Sequence, residues 1–270
     1  MGKFDGMMLL TDMDGTFLNS NREISDENAR AAEYFMREGG KFSVATGRVK
    51  RAMEYFMPKL KMNAPAVLFN GSVIYDFENG RPVAERPLES KQALEFAQDM
   101  IRTFPQMGVE VFLAEDEFVA NNSPITQRHF QFVKLPLKEC PIEKIPTPWV
   151  KFNLTAEHEE LLKVEEYCRK KYGDCYTMQF SSPYFYEIMM GGADKGTGAR
   201  LSCDFCGISH DRLYTVGDGL NDRELIACAA LSFAPENAVE TIKESADVIL
   251  PDCDHHTIAA AVDHLERMSR

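Results

Sequence analysis

The chain has few of the features that mark membrane, secreted or disulfide-stapled proteins. No stretch reaches the roughly 20 apolar residues that a membrane span needs, so we expect no membrane partner. No apolar leader with a small-residue cleavage site follows Met1, so we expect no signal peptide. Seven cysteines are an odd number, scattered over 270 residues. We therefore expect reduced thiols and a cytoplasmic location.

Basic residues are also scarce. Lys and Arg number 30 against 42 Asp and Glu, which gives a formal net charge of -12. Binding to a nucleic-acid backbone needs clustered Lys and Arg, so we expect no nucleic-acid partner. One local basic pocket could still hold a small phosphorylated metabolite. The hydrophobic content of 44% is typical of a globular protein with a core, and either a monomer or a small homo-oligomer is compatible with it.

Short apolar strands alternate with helical patterns at both ends of the chain. This alternation predicts an α/β fold with a Rossmann-like, doubly wound parallel sheet. The predicted strands are 7–12, 42–45, 66–69, 213–216, 231–234 and 248–250. The predicted helices are 25–38, one from 49 towards Pro58, 195–206, 222–228 and 256–265.

The middle of the chain has a different pattern. A helix followed by a hairpin occurs about twice, with helices at 88–103 and 157–172 and hairpins at 108–121 and 175–190. This arrangement is typical of an α+β module with an antiparallel sheet. We therefore predict a catalytic core of residues 1–81 and 190–270, and an inserted α+β cap domain at 82–189. The proline-rich segment 124–148 has no assignment.

Four groups of polar residues follow strands or open helices in the predicted core. They are 12–14, 46–48, Lys195 and 217–222. Ligands of open parallel sheets bind beyond the carboxyl ends of the strands. We therefore expect these groups to meet at one edge of one sheet.

The first and last groups supply four carboxylates: Asp12, Asp14, Asp218 and Asp222. Gathered at one edge, they would repel one another unless a cation lay between them. Oxygen ligands with no nearby Cys or His favour Mg²⁺ over Zn²⁺. The sequence thus predicts a Mg²⁺ site.

A phosphate would need donors and positive charge at the same edge. Lys195 can supply a point charge. The hydroxyl of Thr46 and the backbone N–H groups of Thr46 and Gly47 are expected at the start of a helix, where anions are favoured.

The four motifs together resemble the haloacid dehalogenase superfamily, and within it the Cof-type phosphatases with a large C2-type cap. They read Asp-Met-Asp-Gly-Thr at 12–16, Thr-Gly-Arg at 46–48, Lys195, and Gly-Asp-Gly-Leu-Asn-Asp at 217–222. Any one of them is weak, but four in this order over the whole chain are specific. Asn70-Gly71 and the run 235–238 also fit the family.

The resemblance implies the roles of the acidic residues. Asp12 would attack phosphorus and form an aspartyl phosphate. Asp14 would protonate the leaving oxygen and later take a proton from water. Mg²⁺ would be held by the Asp12 carboxylate, the Asp14 carbonyl and Asp218, with Asp222 acting indirectly behind these ligands.

The resemblance also implies which residues hold the phosphate: the backbone N–H of Met13, with Thr46, Gly47, Lys195 and Asn221. Arg48 would face the substrate or the cap. The implied activity is hydrolysis of small phosphomonoesters, with the cap closing over the site. Sugar phosphates are the expected substrates, and nucleotide-like or vitamin phosphates such as flavin mononucleotide and pyridoxal phosphate stay open.

Two other functions stay open at this stage. A phosphomutase of the same superfamily would keep Asp12 and Asp14 but transfer the phosphoryl group to another sugar hydroxyl. A binding or regulatory relative would keep the fold without turnover. The four intact motifs speak against the second alternative.

Two further groups of residues could suggest metal or redox chemistry. Cys203 and Cys206 precede His210, and Asp254 precedes two histidines. No second Cys pair with zinc-site spacing accompanies the first group, which falls in a predicted helix. We interpret the second group as the start of a helix capped by Asp254.

Overall fold

The computed structural model describes residues 2–133 and 136–268. The chain forms two compact units. One is made from both ends of the chain, Met1–Ala84 and Asp194–Arg270, and the other is Glu85–Ala193. In the described part of the chain, no helix is long and apolar enough to span a membrane.

The first unit contains a five-stranded parallel sheet, which confirms the predicted α/β class. Its strands are β1 (Met8–Thr11), β2 (Lys41–Val44), β11 (Leu213–Val216), β12 (Leu231–Pro235) and β13 (Val248–Leu250), in the order β13-β12-β11-β1-β2. Met8 of β1 lies opposite Lys41 on one side and Leu213 on the other. β1 is buried along its whole length, as expected of a parallel strand covered on both faces.

A second, three-stranded sheet in this unit was not predicted. It consists of β3 (Ala66–Leu68), β4 (Val73–Asp76) and β5 (Arg81–Glu85), with β3 and β4 antiparallel. Asn70 and Gly71 form the turn through which the chain returns as β4. The predicted strand 66–69 therefore belongs to this sheet and not to the five-stranded parallel one.

The α-helices of the first unit are α1 (Asp26–Arg37), α2 (Lys50–Glu54), α6 (Lys195–Cys206), α7 (Arg223–Ala227), α8 (Glu240–Lys243) and α9 (Thr257–Met268). Polar side chains cap the starts of α1 and α6. Ser25 accepts a hydrogen bond from the Asn28 N–H at 3.2 Å, and Asp194 accepts one from the Thr197 N–H at 2.7 Å. Such caps satisfy N–H groups that have no partner inside the helix. The Asp194 cap starts α6 at Lys195.

Two helix starts differ from the prediction. α2 has only five residues and begins at Lys50, so Thr46 and Gly47 lie in the loop before it and not at a helix start. The prediction that Asp254 caps the last helix is also wrong. Its Oδ1 accepts from the Ser20 N–H at 2.8 Å, and Asp252 caps the short 3₁₀ turn before α9.

The second unit is an antiparallel sheet with helices. Its strands are β6 (Gly108–Phe112), β7 (Glu117–Asn121), β8 (Lys151–Thr155), β9 (Tyr176–Ser182) and β10 (Phe185–Met190), in the order β7-β6-β8-β10-β9. Its helices are α3 (Ser90–Thr103), α4 (Pro124–Val133) and α5 (His158–Tyr172). α4 and a 3₁₀ turn at Ile142–Lys144 lie in the segment that the sequence left unassigned, whose residues 134 and 135 are outside the described residues.

Asp99 links α3 to α5 at the edge of the second unit's core. Its carboxylate accepts hydrogen bonds from Arg102 at 2.6 Å, Lys171 at 2.7 Å, and the hydroxyls of Tyr167 and Tyr172 at 3.0 and 2.7 Å. Burial raises the pKa of Asp99, but the hydrogen bonds outweigh this effect and lower the pKa to about 2.

This carboxylate should make the stability of the protein depend on acid pH. The pKa of Asp99 is lower in the folded state than in the unfolded state, so its contribution is present at neutral pH. It is lost as the pH falls from about 4 towards 2, and we expect it to amount to about 1–2 kcal/mol. Urea unfolding should show that Asp99→Asn destabilises the protein at pH 7 and that the difference from wild type shrinks near pH 2.5. A difference that does not change with pH would contradict this assignment.

Candidate active site

Carboxylates from two neighbouring strands converge at the carboxyl edge of the parallel sheet. Asp12 directly follows β1, and its N–H donates to the carbonyl of Val216 at the end of β11, at 2.8 Å. Asp218 and Asp222 lie on the loop and 3₁₀ turn after β11. Carboxylate oxygens of Asp12, Asp218 and Asp222 all lie within 4.8 Å of one another. The topology thus brings together three of the four predicted carboxylates.

Lys195 lies at the centre of this group. Its side chain is fully buried, and Nζ donates to Oδ1 of Asp12 and to Oδ1 of Asp222, each at 2.5 Å. Burial lowers the pKa of Lys195, but the two carboxylates outweigh it and hold the pKa above its ordinary value. Lys195 therefore provides a fixed positive charge beside Asp12.

Burial and the neighbouring charges also shift the pKa values of Asp12 and Asp218. Burial raises the pKa of Asp12 well above its ordinary value; the Lys195 ammonium opposes this rise, and repulsion from Asp222 and Asp218 adds to it. Burial raises the pKa of Asp218 to about 6, with a contribution from Asp222 and against a hydrogen bond from Thr16. Among protein groups alone, one ammonium faces three carboxylates, so the site is short of positive charge.

The donor set of this cluster fits a hard divalent cation. All of its ligand atoms are carboxylate oxygens. Asp222 is already occupied: Oδ1 accepts from Lys195, and Oδ2 accepts the N–H groups of Asp218 and Gly219 at 3.0 and 2.9 Å. Asp12 and Asp218 are therefore the better candidates for direct contact with an ion.

Gly15 keeps this site open. It has φ +78°, and a Cβ at this position would lie 2.6 Å from Oδ2 of Asp218. A residue other than glycine at position 15 would thus have a strained backbone conformation. Its Cβ would also clash with the carboxylate of Asp218, a candidate metal ligand.

Asp14 lies outside the buried cluster. Its side chain is half-exposed and forms a bidentate ion pair with Arg48. Nε of Arg48 donates to Oδ2 of Asp14 at 2.7 Å, and Nη2 donates to Oδ1 at 2.6 Å. The guanidinium of Arg48 lies 4.9 Å from the ring centre of Phe56. Arg48 thus reaches a neighbouring motif, a contact that the sequence did not indicate.

The remaining predicted residues surround the same edge. Met13 is fully buried. Thr46 is buried, and its Oγ accepts from the Arg48 N–H at 3.2 Å. Its N–H donates to the carbonyl of Val67 at 2.8 Å, so this N–H is already paired and the predicted role in binding an anion does not fit it.

Three further residues bear on the site and were not predicted as site residues. Thr16 donates from Oγ to Oδ1 of Asp218 at 2.7 Å. Asn237 donates from Nδ2 to the carbonyl of Gly15 at 2.8 Å. Asn70 accepts from Nδ2 of Asn221 at 3.1 Å. All three lie in runs that carried the family resemblance, and this was the only signal in the sequence for them.

The cysteine and histidine groups do not form a metal site. Over residues 2–133 and 136–268, the only cluster of three or more metal-ligating side chains is the one at Asp12. Cys203 is buried in α6, and Nε2 of His210 lies 2.8 Å from Oδ1 of Asp204. These residues belong to helix packing and surface contacts.

Comparisons with known proteins agree with this geometry. A model of the haloacid dehalogenase-like hydrolases matches residues 9–262. The chain is 27% identical to YxeH of Bacillus subtilis over 96% of this chain and 97% of that protein. It is 26% identical to the 5-amino-6-(5-phospho-D-ribitylamino)uracil phosphatase YcsE of Bacillus subtilis, over 96% of both chains.

A solved structure supports the fold. A haloacid dehalogenase-like hydrolase from Bacteroides thetaiotaomicron superposes with a TM-score of 0.86 at 23% identity, covering 96% of this chain and 99% of that one. Since the family model spans most of the sequence, the predicted superfamily is confirmed, and the chain belongs to the haloacid dehalogenase-like hydrolases.

Proposed function

We propose that this protein is a Mg²⁺-dependent phosphatase that hydrolyses small phosphomonoesters through an aspartyl phosphate on Asp12. The observation that carries the proposal is the buried contact of 2.5 Å between Lys195 and Asp12, within reach of two further carboxylates. A carboxylate held beside a fixed ammonium and a cation site is suited to attack an anionic phosphoryl group. The names of relatives such as the phosphatase YcsE support the same reaction.

The reaction would proceed in two displacements. An oxygen of Asp12 forms a bond to phosphorus as the ester P–O bond breaks, and Asp14 gives a proton to the leaving oxygen. Water then attacks phosphorus, Asp14 takes a proton from it, and Asp12 is released with inorganic phosphate. A positioned acid–base group is worth roughly 10²–10⁴-fold in rate.

The remaining site residues would bind the metal ion and stabilise the negative charge of the phosphoryl group. Asp12, Asp218 and the carbonyl of Asp14 would bind Mg²⁺, which supplies positive charge for the phosphoryl oxygens. Lys195 supplies a second charge from the buried side. Thr46 and Asn221 would donate hydrogen bonds to the same oxygens.

Sugar phosphates are the proposed substrates, on the family resemblance, and a phosphomutase is the alternative within the same chemistry. Hydrolysis of a hexose phosphate should release inorganic phosphate in step with substrate loss. Isomer formation without phosphate release would identify a mutase. No activity across a broad panel of phosphate esters would sink the enzyme proposal and favour a binding protein.

Removal of the metal should abolish turnover. We expect EDTA to lower hydrolysis of p-nitrophenyl phosphate by at least about 10³-fold, because the charge of the cluster is then uncompensated. Mg²⁺ should restore the rate and raise the melting temperature, since a ligand of the folded state stabilises it. Asp218→Asn should weaken both responses to Mg²⁺. Full activity in EDTA would rule out the metal.

A further inference from the structure

The turn between β3 and β4 has an unusual backbone. Phe69, Asn70 and Gly71 all have positive φ, at 50°, 51° and 102°. Two of them are not glycine, and Phe69 is a bulky residue in a region that side chains rarely adopt. Phe69 and Asn70 are 1% and 2% exposed. Strain of this kind persists only where surrounding contacts impose it, and it concentrates at functional sites.

The turn holds the loop that carries Thr46, Gly47 and Arg48. The N–H of Phe69 donates to the carbonyl of Arg48 at 3.2 Å, and the N–H of Asn70 donates to the carbonyl of Thr46 at 3.0 Å. A Cβ added at Gly47 would lie 3.0 Å from Nδ2 of Asn70. The Asn70 amide therefore packs directly against the Thr46–Gly47 backbone.

The same turn contacts the two other loops of the site. Oδ1 of Asn70 accepts from Nδ2 of Asn221 at 3.1 Å. A Cβ at Gly71 would lie 2.0 Å from the carbonyl oxygen of Asp194, the residue that caps α6 just before Lys195. One turn thus touches the segments of Thr46, Asn221 and Lys195.

We propose that Asn70 is a positioning residue that sets the relative placement of Thr46 and Asn221 around the phosphate. The inference rests on the proposed function, since it assigns those two residues to phosphate binding. Asn70 reaches both loops: its side-chain Oδ1 accepts from Nδ2 of Asn221, and its backbone N–H donates to the carbonyl of Thr46, beside which the side-chain amide packs against Gly47. Displacement of a binding group by about 1 Å can cost on the order of 10²-fold in rate.

Two substitutions at 70 separate positioning from backbone strain. Asn70→Gly removes the amide and tolerates the left-handed backbone, whereas Asn70→Ala removes the amide and does not tolerate it. We expect both variants to lose about 10–100-fold in kcat/KM for p-nitrophenyl phosphate. Only Asn70→Ala should have a clearly lower melting temperature. Arg22→Gly is the matched control, because Arg22 has φ 61° outside the site, and it should keep wild-type kinetics.

A double-mutant cycle with Asn221 completes the test. Asn70→Gly should add little further loss to Asn221→Ala, because the shared hydrogen bond is already gone. Fully additive losses, or wild-type kinetics in Asn70→Gly, would overturn the proposal.

Calorimetric titration with inorganic phosphate in MgCl₂ keeps this test separate from the proposed function. If the wild-type protein hydrolyses no ester, the proposed function fails, while weaker phosphate binding by Asn70→Gly would still support positioning by Asn70. Equal phosphate affinity in the wild type and in Asn70→Gly would count against it.

Discussion

Replacement of Asp12 by Asn is expected to reduce turnover by at least about 10⁴-fold, because an amide cannot form the covalent bond to phosphorus. The change preserves the size of the side chain, and Nζ of Lys195 can still donate to the amide oxygen at the position where it now contacts Oδ1. The variant should therefore fold. Release of phosphate from p-nitrophenyl phosphate measures the loss, and circular dichroism checks the fold.

A matched control distinguishes the loss of the nucleophile from the general effect of replacing a hydrogen-bonded aspartate by asparagine. Asp247 lies just before β13 and accepts from the N–H and Oγ of Ser232 at 2.8 and 2.7 Å, but it is not in the carboxylate cluster. Asp247→Asn should keep kcat within about twofold, as expected for a residue remote from the reaction. Turnover above about 1% of wild type in Asp12→Asn would argue against covalent catalysis, since removal of a nucleophile costs far more than that.

Trapping the intermediate would test the same step directly. Rapid acid quenching during turnover should leave a phosphoryl group on the peptide that carries Asp12, detectable by mass spectrometry. In Asp14→Asn this species should decay more slowly, because the group that takes a proton from water is absent. Labelling of another residue would contradict the assignment of Asp12.

Replacement of Lys195 by Met is expected to lower both stability and activity. The substitution leaves Asp12 and Asp222 buried without the ammonium that joins them. Loss of one partner of a buried ion pair costs about 3–5 kcal/mol in the free energy of unfolding. The kcat/KM value should fall by about 10³-fold or more, because a fixed charge on the phosphoryl group is lost.

A second substitution can separate these two effects. Asp222→Asn in the Lys195→Met background removes one repelling charge, so part of the lost stability should return while kcat/KM stays low. Lys151→Met gives a comparison for stability, because Lys151 is also buried and pairs with Glu187 at 2.6 Å in the other unit. If the double variant regained activity, Lys195 would serve only to balance charge within the fold.

Several features of the site were predictable because they depend on local sequence and on sheet topology. Buried strands ending in polar residues indicated where Asp12 and Asp218 would lie, since the ends of parallel strands share one edge. The Asp-Met-Asp-Gly-Thr and Gly-Asp-Gly-Leu-Asn-Asp runs then marked the residues themselves. The prediction that Thr46 and Gly47 lie at the start of a helix was wrong. The helix that follows them, α2, has only five residues, so its hydrophobic periodicity is too short to locate its first residue.

The sequence by itself determined the alternation of strands and helices, the all-oxygen character of the acidic cluster and the order of the four motifs. These are properties of neighbouring residues, which hydrophobic period and side-chain chemistry report directly. Only the tertiary structure decided which distant groups touch. It brought Lys195 to Asp12 across 183 positions, paired Arg48 with Asp14, and placed Asn70 between the loops of Thr46 and Asn221. Such contacts depend on how the whole sheet and its loops pack, and no local pattern of residues encodes them.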